Sequence, residues 1–258
     1  MPLFHLLEIF AFVFGACIGS FLNVCIYRIP EGKSIVYPPS ACPQCGYVLR
    51  FYDNIPIISY ILLRARCRRC HIHIPMRYPL VELMVGLFAV CAYLKFGLTL
   101  EALVIYLLIS ALIVITFIDI DHHIIPDAIS LPGIPIGFAA SFFSPAITYV
   151  ESLVGILVGG GSLLLVAWVY SLITHKEGMG GGDIKLLAMI GAFVGWQGVL
   201  LTVFLSSAIG TFCGLLVMIR SGKNMKLAIP FGPFLSMGAM IHIFFGKELI
   251  FWYFHTFS

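Results

Sequence analysis

The chain has little charge for its length. Asp, Glu, Lys and Arg make up 10% of its 258 residues, hydrophobic residues make up 60%, and the mean hydropathy is +1.04. These values exclude a soluble globular protein, and membrane spans use so much of the chain that no large soluble domain fits. Basic residues are missing from Met1 to Tyr27, where the one early charge, Glu8, is acidic. A secretory signal opens with a basic segment, so this stretch reads instead as a retained first span with its N-terminus outside. Internal repeats and low-complexity tracts are also lacking.

What is present is a series of apolar runs. Eight spans are expected, at roughly 6–26, 79–94, 99–118, 128–144, 150–173, 184–195, 198–219 and 230–253, which makes an all-α polytopic membrane protein. The stretch from Ile184 to Ile219 is too long for one span and short for two, and Gly195-Trp196-Gln197-Gly198 is its natural break. Eight spans return both termini to the outside. The basic residues test this orientation. Arg28, Lys33, Arg50, Arg64, Arg66, Arg68, Arg69 and Arg77 lie between spans one and two. Lys176 and Lys185 flank Asp183, and Arg220, Lys223 and Lys226 lie between spans seven and eight. Only Lys95 and Lys247 fall on the other side. That asymmetry places the first group in the cytoplasm. It also accounts for the basic residues without nucleic acid as a partner. Three regions follow: a first transmembrane helix (1–27), a cytoplasmic loop domain (28–78) and a second transmembrane domain (79–258).

Four of the eight cysteines form Cys42-Pro-Gln-Cys45 and Cys67-Arg-Arg-Cys70, both in the loop. Each Cys-x-x-Cys turn lets two sulfurs converge, and two turns complete a tetrahedral site suited to Zn²⁺. Disulfides are disfavoured in the cytoplasm. A redox pair of cysteines is the alternative. Four protein ligands imply a structural rather than a catalytic ion, and a short loop needs such a staple. Gly46 eases the first turn, and the arginines around the second pair offset the charge of the thiolates. Cys17, Cys25, Cys91 and Cys213 fall in spans and read as packing residues.

Two aspartates stand at the edges of apolar runs. A carboxylate there costs about 2.5–3.5 kcal/mol at a helix centre, so both are candidates for chemistry. Asp119 ends the run from Leu103 and opens Asp-Ile-Asp-His-His-Ile-Ile-Pro-Asp, while Asp183 follows Gly-Met-Gly-Gly-Gly. Hydrolysis of a peptide by two aspartates needs one ionised carboxylate to activate water and one protonated carboxyl to polarise the carbonyl. Close carboxylates hold one proton between them, and their titration belongs to the pair. Pro126 breaks the helix after Asp119, and Asp127 is placed to cap span four. Gly180, Gly181 and Gly182 leave the backbone before Asp183 permissive, so a substrate strand can approach. Asp183 also reads as a simple N-cap of span six. Asp121 reads as supporting. His122 and His123, with Asp121, are open to a second metal site or to an interfacial role.

With these residues in place, the chain resembles the type IV prepilin peptidases, membrane aspartic proteases of the Gly-x-Gly-Asp class. Gly180-Gly181-Gly182-Asp183 resembles the class signature, and Asp119 stands at the family's distance from Ile125-Pro126-Asp127. Gly19-Ser20-Phe21-Leu22-Asn23-Val24 with Arg28 and Pro30, the double Cys-x-x-Cys loop, Arg77-Tyr78-Pro79 with Glu82, Glu177-Gly178-Met179-Gly180, and Ile229-Pro230-Phe231-Gly232-Pro233 follow the family in order. The resemblance implies that Asp119 and Asp183 are catalytic in a transmembrane peptidase domain, with Gly180, Gly182, Pro126, Asp127 and Lys185 in support. It implies cleavage of the basic leader of prepilins or pseudopilins at the cytoplasmic face of a bacterial inner membrane. The substrates serve type IV pili or type II secretion. The cysteine loop implies a bifunctional member that methylates the new α-amino group with S-adenosylmethionine. Glu82, Asn23 and Arg28 are candidates for that cofactor, although no Rossmann-type glycine fingerprint marks a pocket. A peptidase with a purely structural zinc loop, and a transporter with intramembrane carboxylates, are the competing readings.

Overall fold

The computed structural model describes residues 2–175, 180–221 and 230–257. Lys176, Glu177, Gly178, Met179, Lys223, Lys226 and Ile229, named above for orientation or motif, lie outside the described residues. Helices run over α1 (Pro2–Arg28), α2 (Ile58–Leu62), α3 (Arg77–Phe96), α4 (Leu100–His122), α5 (Asp127–Ser141), α6 (Tyr149–Thr174), α7 (Gly181–Ser221) and α8 (Gly232–Phe257). Among the described residues the extended pairings are two isolated bridges, Ala41 with Val48 and Arg66 with His73. This is the all-helical fold the apolar runs demand, because a helix satisfies its own backbone groups where water is absent.

Among the described residues, six helices, α1, α3, α4, α6, α7 and α8, are long and apolar enough to cross a membrane. The protein is therefore a multi-pass membrane protein. The eight expected segments arise when α5 is counted and α7 is divided. Gly195 interrupts α7 with φ 71° and ψ 178°, a conformation that side chains resist. The arm before it, at 1.5 Å per residue, is roughly 21 Å long, short of a hydrocarbon layer of about 30 Å. α5 is likewise short, with 15 residues and with Pro132 and Pro135 inside it.

The chain forms two compact units, Met1–Val114 and Ile115–Ser258. In the first, α1 lies along α3 at close range. A side chain at Gly19 would stand 2.7 Å from Glu82 Cα. The crossing brings Ser20, Asn23 and Glu82 to the base of the 28–78 loop. In the second unit, α6 and the first arm of α7 approach so closely at Gly155 and Gly191 that a methyl group on either would strike the other's carbonyl. Ser152 Oγ locks the pair by donating to the Ala192 carbonyl over 2.7 Å. The second arm is held to α8 by Ser206 Oγ, which donates to the Phe234 carbonyl over 2.9 Å.

Two local expectations are corrected. Pro126, with φ −66° and ψ 123°, is the N-cap of α5, and Asp127 is its first helical residue with no capping bond. The Asp127 carboxylate is drawn instead to Lys185. Asp183 is not an N-cap either: α7 begins at Gly181, so Asp183 sits within its first turn. Of the cysteines in spans, Cys25 is buried, Cys213 is half-buried, and Cys17 and Cys91 are exposed, so the last two do not pack in the core.

Candidate functional site

Asp119 and Asp183 line one cavity of about 230 Å³ in the Ile115–Ser258 unit, together with His123, Ile124, Ile125, Asp127 and Gly182. A long stretch of chain separates the two aspartates, and the fold brings them together by ending α4 and starting α7 at the same place. Asp119 lies in the last turn of α4 and is 5% exposed. Its Oδ2 accepts the backbone N–H of Gly232 over 3.0 Å. A side chain at Gly232 would lie 2.5 Å from that oxygen, so the approach requires glycine. Asp121, two residues further on, is exposed, as helical geometry dictates. His123 takes φ 54°, ends the helix and closes one wall.

Asp183 is half-buried and reaches the cavity from the N-terminus of α7. The turn before it is fixed by Gly182, where a side chain would stand 2.9 Å from Ile125. Gly180 is exposed, and its carbonyl accepts the Asp183 N–H over 3.2 Å. Lys185 Nζ donates to both Asp127 carboxylate oxygens at 2.8 Å and so ties the start of α7 to the start of α5. Pro126, next to Asp127 in the chain, is buried. The sequence quoted Gly232 within a motif but missed its N–H as the partner of Asp119. Its only local signal is a glycine that opens a helix after Pro230.

The Met1–Val114 unit gathers the loop residues. Cys42 Sγ lies 3.7 Å from Cys70 Sγ, and Cys45 Sγ 4.0 Å from Cys67 Sγ. All four sulfurs fall within 4.8 Å of one another. These separations are far beyond a disulfide bond of about 2.05 Å, and the cluster could hold a metal ion. The two pairs sit on matching turns. Cys42 N–H donates to the Tyr47 carbonyl and Cys67 N–H to the Ile72 carbonyl, each over 2.9 Å. Gly46 and His71 occupy equivalent positions with φ 66° and 56°. Backbone amides of Cys45 and Gln44 pull the Cys42 thiol down to about 6. At Cys70 the Ile72 amide pulls the same way, but burial and the neighbouring thiols push it up to about 12. Four sulfurs this close ionise together only around a cation. Among the described residues, Asp121, His122 and His123 form no such group.

Glu82, Asn23 and Arg28 tie this loop to the helices. Glu82 Oε2 accepts the Ile57 N–H over 2.7 Å and holds Ile57 at φ 61°. Asn23 Nδ2 donates to the Tyr78 carbonyl over 3.0 Å. Arg28 donates to the carbonyls of Ser34 and Pro38 at 2.9 and 2.7 Å.

The residue that sequence reading overlooked here is Asp53. Its carboxylate accepts from Arg68 Nε at 2.6 Å, Tyr47 Oη at 3.0 Å and the Arg50 N–H at 3.2 Å. It therefore joins the first cysteine turn to the second, and Arg68 serves this carboxylate rather than the sulfurs. Burial of Asp53 opposes its charge, but Arg68, the Arg50 amide and the Tyr47 hydroxyl outweigh it and hold the carboxyl below the usual carboxylate range. A carboxyl lowered by folding adds stability that is complete above about pH 4 and is lost as pH falls through the folded value. Asp53→Asn is accordingly expected to speed tryptic cutting at the exposed Arg64, Arg66 and Arg69 several-fold at neutral pH. Unchanged cutting would remove Asp53 as the link.

Residues 13–96 match the bacterial peptidase A24 N-terminal domain, and residues 106–215 match the type IV leader peptidase family. A Pseudomonas putida protein called prepilin leader peptidase/N-methyltransferase is 38% identical, over 93% of this chain and 91% of its own length. The protein of that name from Pseudomonas aeruginosa is 37% identical over 91% of this chain and 89% of its own, and that from Aeromonas hydrophila is 34% identical over 95% and 93%. No solved structure matches the chain.

Proposed function

Because the chain belongs to the type IV leader peptidase family, we propose that it cuts the basic leader from type IV prepilins or pseudopilins and then methylates the new N-terminus. The observation that carries the first activity is the cavity shared by Asp119 and Asp183. One carboxylate takes a proton from water as the water attacks the scissile carbonyl carbon. The other, protonated, gives its proton to the carbonyl oxygen. Collapse of the tetrahedral adduct breaks the C–N bond, and a carboxyl returns the proton to the departing amine. Each transfer requires the carboxyls at hydrogen-bond range of the same atoms. Gly232 N–H fixes the rotamer of Asp119, and the Lys185–Asp127 pair fixes the end of α7 that carries Asp183.

The family's basic leader suits a dyad at the cytoplasmic face of a bacterial inner membrane. The skewed placement of Lys and Arg supports that orientation, with both termini on the other side. A prepilin held by its apolar helix would then present its scissile bond at the cavity.

We assign Zn²⁺ to Cys42, Cys45, Cys67 and Cys70. A Zn–S bond of about 2.3 Å gives tetrahedral sulfur separations of about 3.8 Å, close to the 3.7 Å between Cys42 and Cys70 and the 4.0 Å between Cys45 and Cys67. With four protein ligands the ion has no open position for substrate, so its role is to hold the loop. S-adenosylmethionine supplies an electrophilic methyl group. That methyl would pass to the free α-nitrogen as its bond to sulfur breaks, with S-adenosylhomocysteine as the leaving product and the ammonium proton going to solvent. The relatives are named for both activities, which favours a bifunctional enzyme over a peptidase alone and leaves a transporter without support.

The test is one assay on detergent-purified enzyme with a prepilin and methyl-labelled S-adenosylmethionine. Loss of the leader and label on the new N-terminal residue are expected together. Cleavage without label would reduce the function to peptidase only.

A further inference from the structure

We propose, resting on the methyltransferase reading above, that S-adenosylmethionine binds beneath the two cysteine turns, in paired cavities of the Met1–Val114 unit that meet at Asn54. One cavity, of about 190 Å³, is walled by Cys42, Cys67, Tyr47, Tyr60, Asn54 and Glu82. The other, of about 350 Å³, is walled by Ser20, Arg28, Pro38 and Asn54. The first alone is below the usual size of a cofactor pocket, about 300–1,000 Å³, and the two joined fall within it. Ser20 Oγ donates to Asn54 Oδ1 over 3.4 Å at the shared wall.

The donor set matches the cofactor's groups. S-adenosylmethionine carries an aromatic base, a ribose diol, a sulfonium and α-ammonium cation, and a carboxylate. Tyr47 and Tyr60, with the apolar Leu49, Leu63 and Ile72, form a face for the base. Glu82 is a buried carboxylate, 8% exposed, in the wall of that same cavity. A carboxylate held in a membrane helix is costly, and such residues ordinarily serve a ligand or pathway. Here the Ile57 N–H orients it, which leaves acceptor capacity for the diol or a cation. Arg28 walls the other cavity with two of its five donors on the Ser34 and Pro38 carbonyls, so its charge faces the place a carboxylate would take. Cys42 and Cys67 supply both a metal ligand and a cavity wall. A metal held there would shape the pocket through these two residues.

The experiment uses the full-length enzyme in detergent. Binding of S-adenosylhomocysteine is measured by calorimetry, and a photoactivatable S-adenosylmethionine analogue is cross-linked and mapped by mass spectrometry. Label is expected within residues 47–82 or on the 17–40 segment. Glu82→Gln is expected to weaken S-adenosylhomocysteine at least about tenfold, the loss of one charge-assisted contact of about 1.4 kcal/mol. Because Glu82 also anchors Ile57, Asn54→Trp provides a second variant. It fills the shared wall, leaves Glu82 intact, and is expected to weaken binding similarly with bound metal unchanged. Label confined to the Ile115–Ser258 unit, or wild-type affinity in both variants, would overturn the site while leaving the methyltransferase reading intact. No binding to the wild-type enzyme would overturn that reading, and this site with it.

Discussion

Asp119→Asn is expected to abolish leader cleavage, and Asp183→Asn to do the same. General acid–base assistance contributes about 10²–10⁴-fold for one group, and in the proposed reaction both carboxyls act on the same carbonyl and water, so either change is expected to lower the rate by about 10⁴-fold or more. Asparagine can neither take a proton from water nor give one to the carbonyl oxygen. Folding is expected to survive. The amide introduced by Asp119→Asn keeps an acceptor for the Gly232 N–H that Asp119 Oδ2 now receives, and Asp183 is only half-buried in a first helical turn. The measurement is the ratio of processed to unprocessed prepilin over time, with melting temperature as the check on folding. Full cleavage by either variant would sink the dyad. The two variants also separate the activities. Methyl transfer onto a prepilin already lacking its leader is expected to persist in Asp183→Asn, because the proposed cofactor pocket lies in the other unit. Its loss there would mean the two reactions share more of one site.

Removal of the metal is expected to produce the second large effect. Cys42→Ser or Cys67→Ser takes one thiolate from a four-sulfur cluster in which every sulfur lies within 4.8 Å of the others. Structural zinc contributes about 10–16 kcal/mol to small zinc domains, far more than the hydrogen bonds of the two turns can replace. Elemental analysis of purified protein is expected to fall from one zinc per chain to a small fraction of that. Both residues also wall the proposed cofactor cavity, so S-adenosylhomocysteine binding is expected to fall in parallel, and trypsin to reach the exposed arginines of the loop. Undiminished zinc would remove the tetrathiolate assignment. Zinc lost with the loop still resistant to trypsin would show that the Asp53 link, not the metal, holds the two turns together.

The features legible without coordinates are those whose physics is local or summed over many residues. Long apolar runs specify membrane helices, because an uncharged stretch of that length has no other stable place. The skew of Lys and Arg depends on counts, not on contacts. The break at Gly195-Trp196-Gln197-Gly198 shows because glycine has a backbone freedom that the apolar residues on either side lack. The cysteine spacing shows as a metal site because each Cys-x-x-Cys turn is complete within a few residues. The choice of Asp119 over Asp121 rests instead on the family resemblance, through its distance to Ile125-Pro126-Asp127; in the fold Asp119 is buried and Asp121 exposed.

The sequence by itself therefore determined an all-helical membrane protein, its loop with four cysteines in metal-ligand spacing and its two conspicuous carboxyls. What it left open were the bonds between distant parts of the chain. The Gly232 N–H meets Asp119 across 113 residues, and Lys185 meets Asp127 across 58. Glu82 reaches Ile57 across 25, and Arg68 reaches Asp53 across 15. No periodicity encodes these partners, since each arises from how closely one helix or turn can approach another. Asp127 illustrates the difference: local rules made it a cap, and the neighbouring start of α7 drew it to Lys185 instead. The tertiary structure alone decided that the end of α4 and the start of α7 open on the same cavity. The reason is close approach at the turn between α4 and α5: Gly182 leaves no room for a side chain against Ile125, and Lys185 is held by Asp127, so the start of α7 stands beside the end of α4.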